Sequence, residues 1–184
     1  MKKILFYLFI LISLVSCSKD VQPKPSGELR LEYPKPIYQE FTGSSSYSFQ
    51  YSNFATITNA KKPNWFYLNY PKMKATIYLS YKPVTNNINL LLKDAQKLTY
   101  EHVIKADDIL EQPFINKKDK VYGMFYTVDG NAATNAQFYA TDSIKHFVTG
   151  SVYFYAKPNF DSIMPAADYI RNDMQTLMET LKWK

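Results

Sequence analysis

The only thiol of this chain lies where a bacterial cell could attach a lipid to it. Cys17 is the single cysteine, and it follows the basic start Lys2-Lys3 and an apolar stretch over residues 4–15. Leu14-Val15-Ser16 places a branched apolar residue and then a small residue directly before the thiol, as a signal peptidase requires. This lipobox pattern predicts a signal peptide over residues 1–16, a diacylglycerol thioether on Cys17 and acylation, as by palmitate, of the new amino terminus.

A plain secretory signal, or a short membrane helix with a chance cysteine, is the alternative. The apolar stretch is shorter than the about 20 residues that a membrane span needs. No second cysteine exists, so the mature chain has no disulfide. Because each buried methylene contributes about 0.8 kcal/mol, two or three acyl chains would hold the protein on a membrane. We expect residues 17–28 to form a lipidated tether outside the cytoplasm.

The residues after Cys17 bear on which membrane carries the protein. Ser18, rather than an aspartate, follows the cysteine and favours the outer membrane by analogy with other bacteria. Ser18-Lys19-Asp20 only partly resembles an acidic surface-export signal. The sequence therefore favours the periplasmic face of the outer membrane, with the cell surface left open.

Residues able to perform catalysis or bind metal are few and poorly spaced. A zinc site needs three or four ligands, whereas the two histidines are His102 on a predicted helix and His146 at the start of a predicted strand. No Gly-x-Ser-x-Gly motif occurs, and five scattered glycines cannot make a phosphate-binding loop. We predict no metal, no cofactor and no enzymatic activity.

Two acidic groupings leave alternatives open. Asp107, Asp108 and Glu111 could bind a cation but lack the register of a calcium-binding loop, and a solvated helix terminus is the simpler interpretation. Glu101 with Asp107 could form a hydrolytic pair, although no other feature supports it.

Composition excludes one class of partner and suggests another. The net charge of +6 falls to +4 without Lys2 and Lys3, and the lysines are scattered, so we predict no nucleic-acid binding. The chain holds 16 Tyr and 12 Phe, residues that suit a half-buried sheet. A tyrosine-rich surface could also bind a ligand, with Trp65 as the best candidate residue.

The periodicity predicts the elements that hold these residues. Alternation predicts strands over residues 29–33, 47–51, 65–70, 75–81, 120–128, 134–141 and 145–155, the last three as an antiparallel meander. Residues 65–70 and 75–81 should form a hairpin around Pro71-Lys72-Met73, and residues 109–115 precede a turn. Helical spacing predicts one helix over residues 88–105 and a terminal one, capped by Asn159 or Asp161, with Pro165 near its first turn.

Together these elements predict a single α+β domain over residues 29–184. An antiparallel sheet would carry two amphipathic helices packed on it, with Met174 and Met178 in the core. This order of elements resembles the Mog1/PsbP-like architecture.

Short segments along nearly the whole mature chain resemble a known family. The segments are Leu31-Glu32-Tyr33-Pro34, Asn69-Tyr70-Pro71-Lys72-Met73, Tyr81-Lys82-Pro83-Val84, Leu98-Thr99-Tyr100-Glu101-His102, Gly130-Asn131-Ala132-Ala133, Lys145-His146-Phe147 and Ala156-Lys157-Pro158-Asn159. In this order they resemble the GldD gliding-motility lipoproteins of the Bacteroidetes. No single segment is diagnostic of the family, but the order of the segments along the chain is.

The resemblance implies a part of the envelope machinery for gliding and type IX protein secretion. It implies action beside other gliding lipoproteins, as a scaffold or assembly factor rather than a catalyst, and it carries over one functional residue, the lipidated Cys17. The alternative is a Tyr/Trp-rich binding module for glycan, peptide or lipid. A hydrolase using Glu101, His102 or Asp107 is a more distant third hypothesis.

Overall fold

The computed structural model describes residues 32–101, 106–130, 134–155 and 160–184. Across these ranges it contains eleven β-strands, two α-helices and a 3-10 turn at Pro71–Met73. In chain order the strands and helices are β1 Tyr38–Glu40, β2 Tyr47–Ser48, β3 Gln50–Ser52, β4 Thr56–Asn59, β5 Phe66–Tyr70, β6 Ala75–Pro83, α1 Ile88–Tyr100, β7 Ala106–Asn116, β8 Val121–Gly130, β9 Ala136–Thr141, β10 His146–Phe154, α2 Phe160–Glu179 and β11 Lys182–Trp183.

Seven of these strands form one antiparallel sheet in the order β4-β5-β6-β10-β9-β8-β7. The predicted hairpin is confirmed, because β5 and β6 pair antiparallel on either side of the Pro71–Met73 turn. The predicted meander of β8, β9 and β10 is also confirmed. Pairing of β6 with β10 joins the hairpin to the meander. The sheet and its two helices confirm the α+β class.

The inner face of the sheet packs against α2 and holds the main core. Alternate residues of each strand point inward, as the period of two requires. Met174 and Met178 on α2 are fully buried there, which confirms their predicted place in the core. The other fully buried members of this layer include Leu68, Tyr70, Ile77, Leu79, Ala140, Val148, Val152, Ile170 and Leu177.

The N-terminal prediction was partly wrong. Residues 29–31 lie outside the described residues, and Glu32 and Tyr33 belong to no strand. Pro34 and Pro36 follow at once, and proline lacks the N–H that a strand ladder uses. The first strand of the described residues is β1, which pairs with β3.

The strand predicted over residues 47–51 is interrupted at Phe49. Its first half, β2, pairs with β11 at the end of the chain, whereas its second half, β3, pairs with β1. The two halves therefore belong to separate two-stranded sheets. Sequence alternation could not predict this division, because it depends on partners distant along the chain.

The helix predictions were right in place and less accurate at the ends. Helix α1 ends at Tyr100, and residues 102–105 lie outside the described part. Asp161 is the second residue of α2 rather than its cap, and Asn159 lies outside the described residues. Pro165 is the sixth helical residue, so the helix lacks the hydrogen bond that its N–H would have made.

Four strands, β1, β4, β7 and β11, were not predicted, and one acidic segment was assigned wrongly. The strand β4 and the short β11 lack apolar alternation long enough to detect. Residues 107–108 lie in β7 and not at a helix terminus, so that interpretation was wrong. No helix in the described ranges is long and apolar enough to cross a membrane.

Candidate functional site

The residues considered for catalysis do not converge where the structure describes them. His102 and the side chain of Asp107 lie outside the description. Asp108 accepts a hydrogen bond from the backbone N–H of Ile109 at 2.9 Å, and Glu111 accepts one from the Tyr100 hydroxyl. Among the described residues no group of three or more His, Cys, Asp or Glu side chains could hold a metal ion.

Glu101 and His146 have other partners. The Glu101 carboxylate lies 3.9 Å from the ammonium of Lys97, one helical turn earlier. His146 begins β10, as predicted, and its Nδ1 lies 2.9 Å from the Tyr81 hydroxyl. Its ring stacks on Trp183 with 5.1 Å between centroids. These contacts hold Glu101 at the end of α1 and His146 at the start of β10.

A cleft of about 380 Å³ lies beside His146 and Trp183. Several of its polar groups have partners within the fold: the Trp183 indole N–H donates to the Lys120 carbonyl at 3.0 Å. Asp142 Oδ1 accepts the backbone N–H groups of residues 144, 145 and 146. Burial works to raise the pKa of Asp142, but these hydrogen bonds hold it below its ordinary 3.8. The carboxylate is therefore a turn-stabilising group.

One buried carboxylate organises a cluster of tyrosines under the inner face. Asp173 on α2 is 2% exposed, and it accepts hydrogen bonds from the Tyr38 hydroxyl at 2.8 Å and the Tyr70 hydroxyl at 3.0 Å. Burial raises the pKa of Asp173, although the hydroxyl bonds oppose this effect. We call Tyr38, Tyr70 and Asp173 the inner cluster. It connects β1 and β5 to α2; Tyr70 and Asp173 are buried and Tyr38 is partly exposed.

Trp65, the predicted ligand-binding residue, is half-buried next to β5. Its indole N–H donates to the Tyr81 carbonyl at 2.7 Å, and the Lys62 ammonium lies 4.6 Å from its ring centroid. The indole nitrogen and part of the ring surface of Trp65 are therefore already occupied by contacts within the protein. Ligand binding by Trp65 stays a prediction.

The outer face of the sheet is only half covered. Helix α1 lies over β9 and the start of β10, where Leu91, Ala95 and Phe147 are buried together and Tyr139 packs against them. The Thr99 hydroxyl of α1 also donates to Gln137 Oε1 on β9 at 3.3 Å. Beyond α1 the same face continues over β4, β5, β6 and the end of β10.

Tyrosines dominate this second half of the outer face. Tyr67 and Tyr78 are cross-strand partners with ring centroids 5.1 Å apart. Tyr153 and Tyr155 have centroids 5.3 Å apart and are 43% and 56% exposed. Tyr155 directly follows β10, and its backbone N–H bonds to the Lys74 carbonyl at 2.8 Å, which fixes it beside β6. We define the tyrosine face as ten outward positions of this half, without Lys82 at the α1 end of β6: Thr56, Thr58, Tyr67, Asn69, Thr76, Tyr78, Ser80, Ser151, Tyr153 and Tyr155.

Hydrogen bonds link hydroxyl and amide groups across the tyrosine face. The Tyr78 and Tyr155 hydroxyls bond to each other, and Tyr155 also donates to Thr76 Oγ1 at 3.2 Å. The chain continues from Thr76 to Asn69 Oδ1 at 2.9 Å and from Asn69 Nδ2 to Thr58 Oγ1 at 3.2 Å. The Tyr155 bond, with burial, raises the pKa of Tyr78 from its ordinary 10.0 to about 12.

The positions that define the tyrosine face are uncharged, and the next outward position of β6, Lys82, lies at the α1 end, 3.9 Å from Asp94 of α1. Charged residues make up 21% of the chain, yet none of the ten positions that define this face is charged. Aromatic enrichment with depletion of charge is typical of the centre of a binding surface. The sequence analysis chose Trp65, the largest aromatic side chain, and missed the four tyrosine rings. The alternation of uncharged residues around positions 67, 78 and 153 could have indicated them.

The comparisons with known proteins agree with the resemblance in sequence. No curated protein matches the chain. The model of the family described as "Gliding motility lipoprotein GldD" matches residues 18–183, which is almost all of the sequence after Cys17. Proteins of that family are lipoproteins of gliding motility, which implies lipid anchoring in the cell envelope. The chain therefore belongs to the GldD family of gliding motility lipoproteins.

Proposed function

We propose that this protein is a non-enzymatic envelope component, anchored by lipid on Cys17, that gliding motility and type IX protein secretion require. In this role it acts as a scaffold or stabilising factor for other gliding lipoproteins. Family membership supports the setting, and the signal-peptide pattern supports the anchor. We further propose the periplasmic face of the outer membrane as its site, since Ser18 follows the cysteine.

The open edge of the seven-stranded sheet is the observation that carries the scaffold role. Strand β7 spans eleven residues and, within the described structure, pairs only with β8. Leu110 and Ile115 on β7 are 52% and 66% exposed. A long edge with unpaired backbone groups can accept a strand from a partner, and exposed apolar side chains add contact area.

A deletion strain tests the requirement. Deleting the gene should abolish spreading on agar and secretion of type IX cargo, and the wild-type gene supplied in trans should restore both. Cys17→Ser should fail to restore them and should leave the membrane fraction. Unimpaired spreading and secretion in the deletion strain would rule out the proposed function.

Substitutions at the sheet edge test the scaffold role separately. Ile115→Lys places a charge at the edge of β7 and should lower the recovery of cross-linked envelope lipoproteins. Ile37→Lys is the matched control, because Ile37 is also 70% exposed and directly precedes β1, which does not belong to the seven-stranded sheet. Equal recovery with both variants would contradict docking at β7.

Protease treatment of intact cells tests the membrane face, since a periplasmic protein should resist cleavage.

The tyrosine face favours a second candidate function, that of a binding module. Its exposed rings and uncharged defining positions are independent of the edge of β7. The chemistry of this face also limits what it could bind.

A further inference from the structure

A row of directly opposed residues crosses the outer face and ends beneath α1. Strand register aligns Tyr67 with Tyr78, Tyr78 with Ser151, and Ser151 with Gln137. The row therefore runs from the exposed rings, over a small serine, to a side chain that is only 4% exposed. The tyrosine face and the space under α1 are thus continuous.

Gln137 keeps an unused donor at the covered end of this row. Its Oε1 accepts the Thr99 hydroxyl, but its Nε2 is buried and has no acceptor among the described residues. Buried polar groups nearly always have a partner, and each exception requires an explanation. A void of about 20 Å³, lined by Gln137, Thr149 and Ser151 among others, lies at this point. It has room for one group the size of a hydroxyl.

The side chains of the tyrosine face share one further property. Nine of the ten positions carry a hydroxyl, and the tenth is the amide Asn69. Aliphatic side chains, which would suit the apolar centre of a protein interface, are exposed elsewhere: Leu90 and Leu98 on α1, and Leu110 and Ile115 on β7. The face therefore combines ring surfaces with groups that both donate and accept hydrogen bonds.

We propose that the tyrosine face, with Gln137 at its covered end, binds an uncharged glycan. A sugar ring presents an apolar C–H face, which can stack on tyrosine, and an edge of hydroxyls, which can bond to Thr, Asn and Tyr groups. One sugar hydroxyl entering the void would accept the Gln137 amide hydrogen. A phosphorylated or uronic-acid glycan would find no cation at the defining positions of this face, so neutral sugars bind best.

The location of the face is consistent with a ligand other than the anchoring membrane. Tyr33, near the start of the described chain, contacts Tyr169 of α2 with ring centroids 5.3 Å apart. The described chain therefore starts on the α2 side of the sheet, whereas the tyrosine face is on the other side. Sugar binding can be tested separately from gliding, because the proposal rests on the chemistry of the face alone.

Titration calorimetry on the full-length protein tests the proposal, in a detergent without a sugar head group. The probes are neutral oligosaccharides of glucose, mannose, xylose or N-acetylglucosamine, with oligogalacturonate as the charged comparator. We expect at least one neutral probe to bind and the charged one to bind more weakly. Tyr67→Ala with Tyr155→Ala should weaken binding about tenfold or more through the loss of two stacking rings.

Two further variants give the test its controls. Tyr100→Ala removes a 49% exposed tyrosine from α1, outside the face, and should leave glycan affinity unchanged. Gln137→Leu removes the buried donor and should weaken binding, with thermal unfolding measured to confirm the fold. The proposal is overturned if no neutral probe binds at millimolar concentration, or if the tyrosine variants bind as the wild type does. Cross-linking from Tyr155 to an envelope protein, without sugar binding, would assign the face to a protein partner.

Discussion

Two hydrogen-bonded tyrosine clusters lie on opposite faces of the same sheet, and they differ in what surrounds their hydroxyls. In the inner cluster, Tyr38 and Tyr70 donate to the buried carboxylate of Asp173. On the tyrosine face, Tyr78 and Tyr155 bond to each other and to neutral groups, and Tyr155 is 56% exposed. The same residue type thus stabilises the fold on one face and remains available for contact on the other.

The difference follows from what each face packs against. Helix α2 covers the inner face, so each buried hydroxyl there needs an internal partner. Helix α1 covers only part of the outer face, and the remaining tyrosines bond to neighbouring hydroxyls and to solvent. Whether a tyrosine ring of the sheet is exposed therefore depends on where α1 and α2 lie, and not on the sequence around the tyrosine.

Removing one tyrosine ring from each cluster should give the largest difference in the free energy of unfolding between the two clusters. Tyr70→Ala removes a ring that is 1% exposed, and we expect it to lower the free energy of unfolding by about 3–5 kcal/mol. Tyr155→Ala should lower it by about 1 kcal/mol or less, because that ring is mostly in solvent. Urea unfolding followed by circular dichroism measures both, and equal losses would contradict the distinction.

Removal of the hydroxyl alone should give a smaller difference of the same sign. Tyr70→Phe leaves Asp173 Oδ2 buried without that donor, which should cost about 1–3 kcal/mol. Tyr78→Phe should change stability by about 0.5 kcal/mol or less, since its neighbours on the tyrosine face can bond to water. A Tyr78→Phe loss as large as that of Tyr70→Phe would show that the outer network also stabilises the fold.

The pH dependence of stability should report on the inner cluster. Because burial raises the pKa of Asp173 above 3.8, the folded state retains its proton longer than the unfolded state does. The contribution of Asp173 to stability is therefore complete below pH 3.8 and is lost as the pH rises through the folded pKa. Asp173→Asn has no proton to lose, so its stability relative to wild type should improve over this range. A constant difference across pH would contradict the raised pKa.

The sequence predicted most of the sheet because alternation is strong where strands are long. β5, β6 and the meander each alternate over five or more residues, whereas β4 (Thr56–Asn59) has a single apolar residue, Ile57, and β11 has two residues in all. The break at Phe49 depends on pairing with β11, about 130 residues later, which no local pattern encodes.

The candidate site was less predictable than the fold. Tyrosine content indicated a possible binding surface, but the choice of Trp65 rested on residue type alone. Placing Tyr67, Tyr78 and Tyr155 together requires the register of three strands, and their exposure requires knowing where α1 ends. The unused donor of Gln137 depends on the same packing.

The most direct measurement compares gliding in cells that carry altered tyrosine faces. A strain whose only copy bears Tyr67→Ala and Tyr155→Ala should make wild-type amounts of membrane-bound protein yet lose most of its spreading on agar. The Tyr100→Ala strain should spread normally at the same abundance. Normal spreading by the double variant at wild-type abundance would contradict a role of the tyrosine face in gliding.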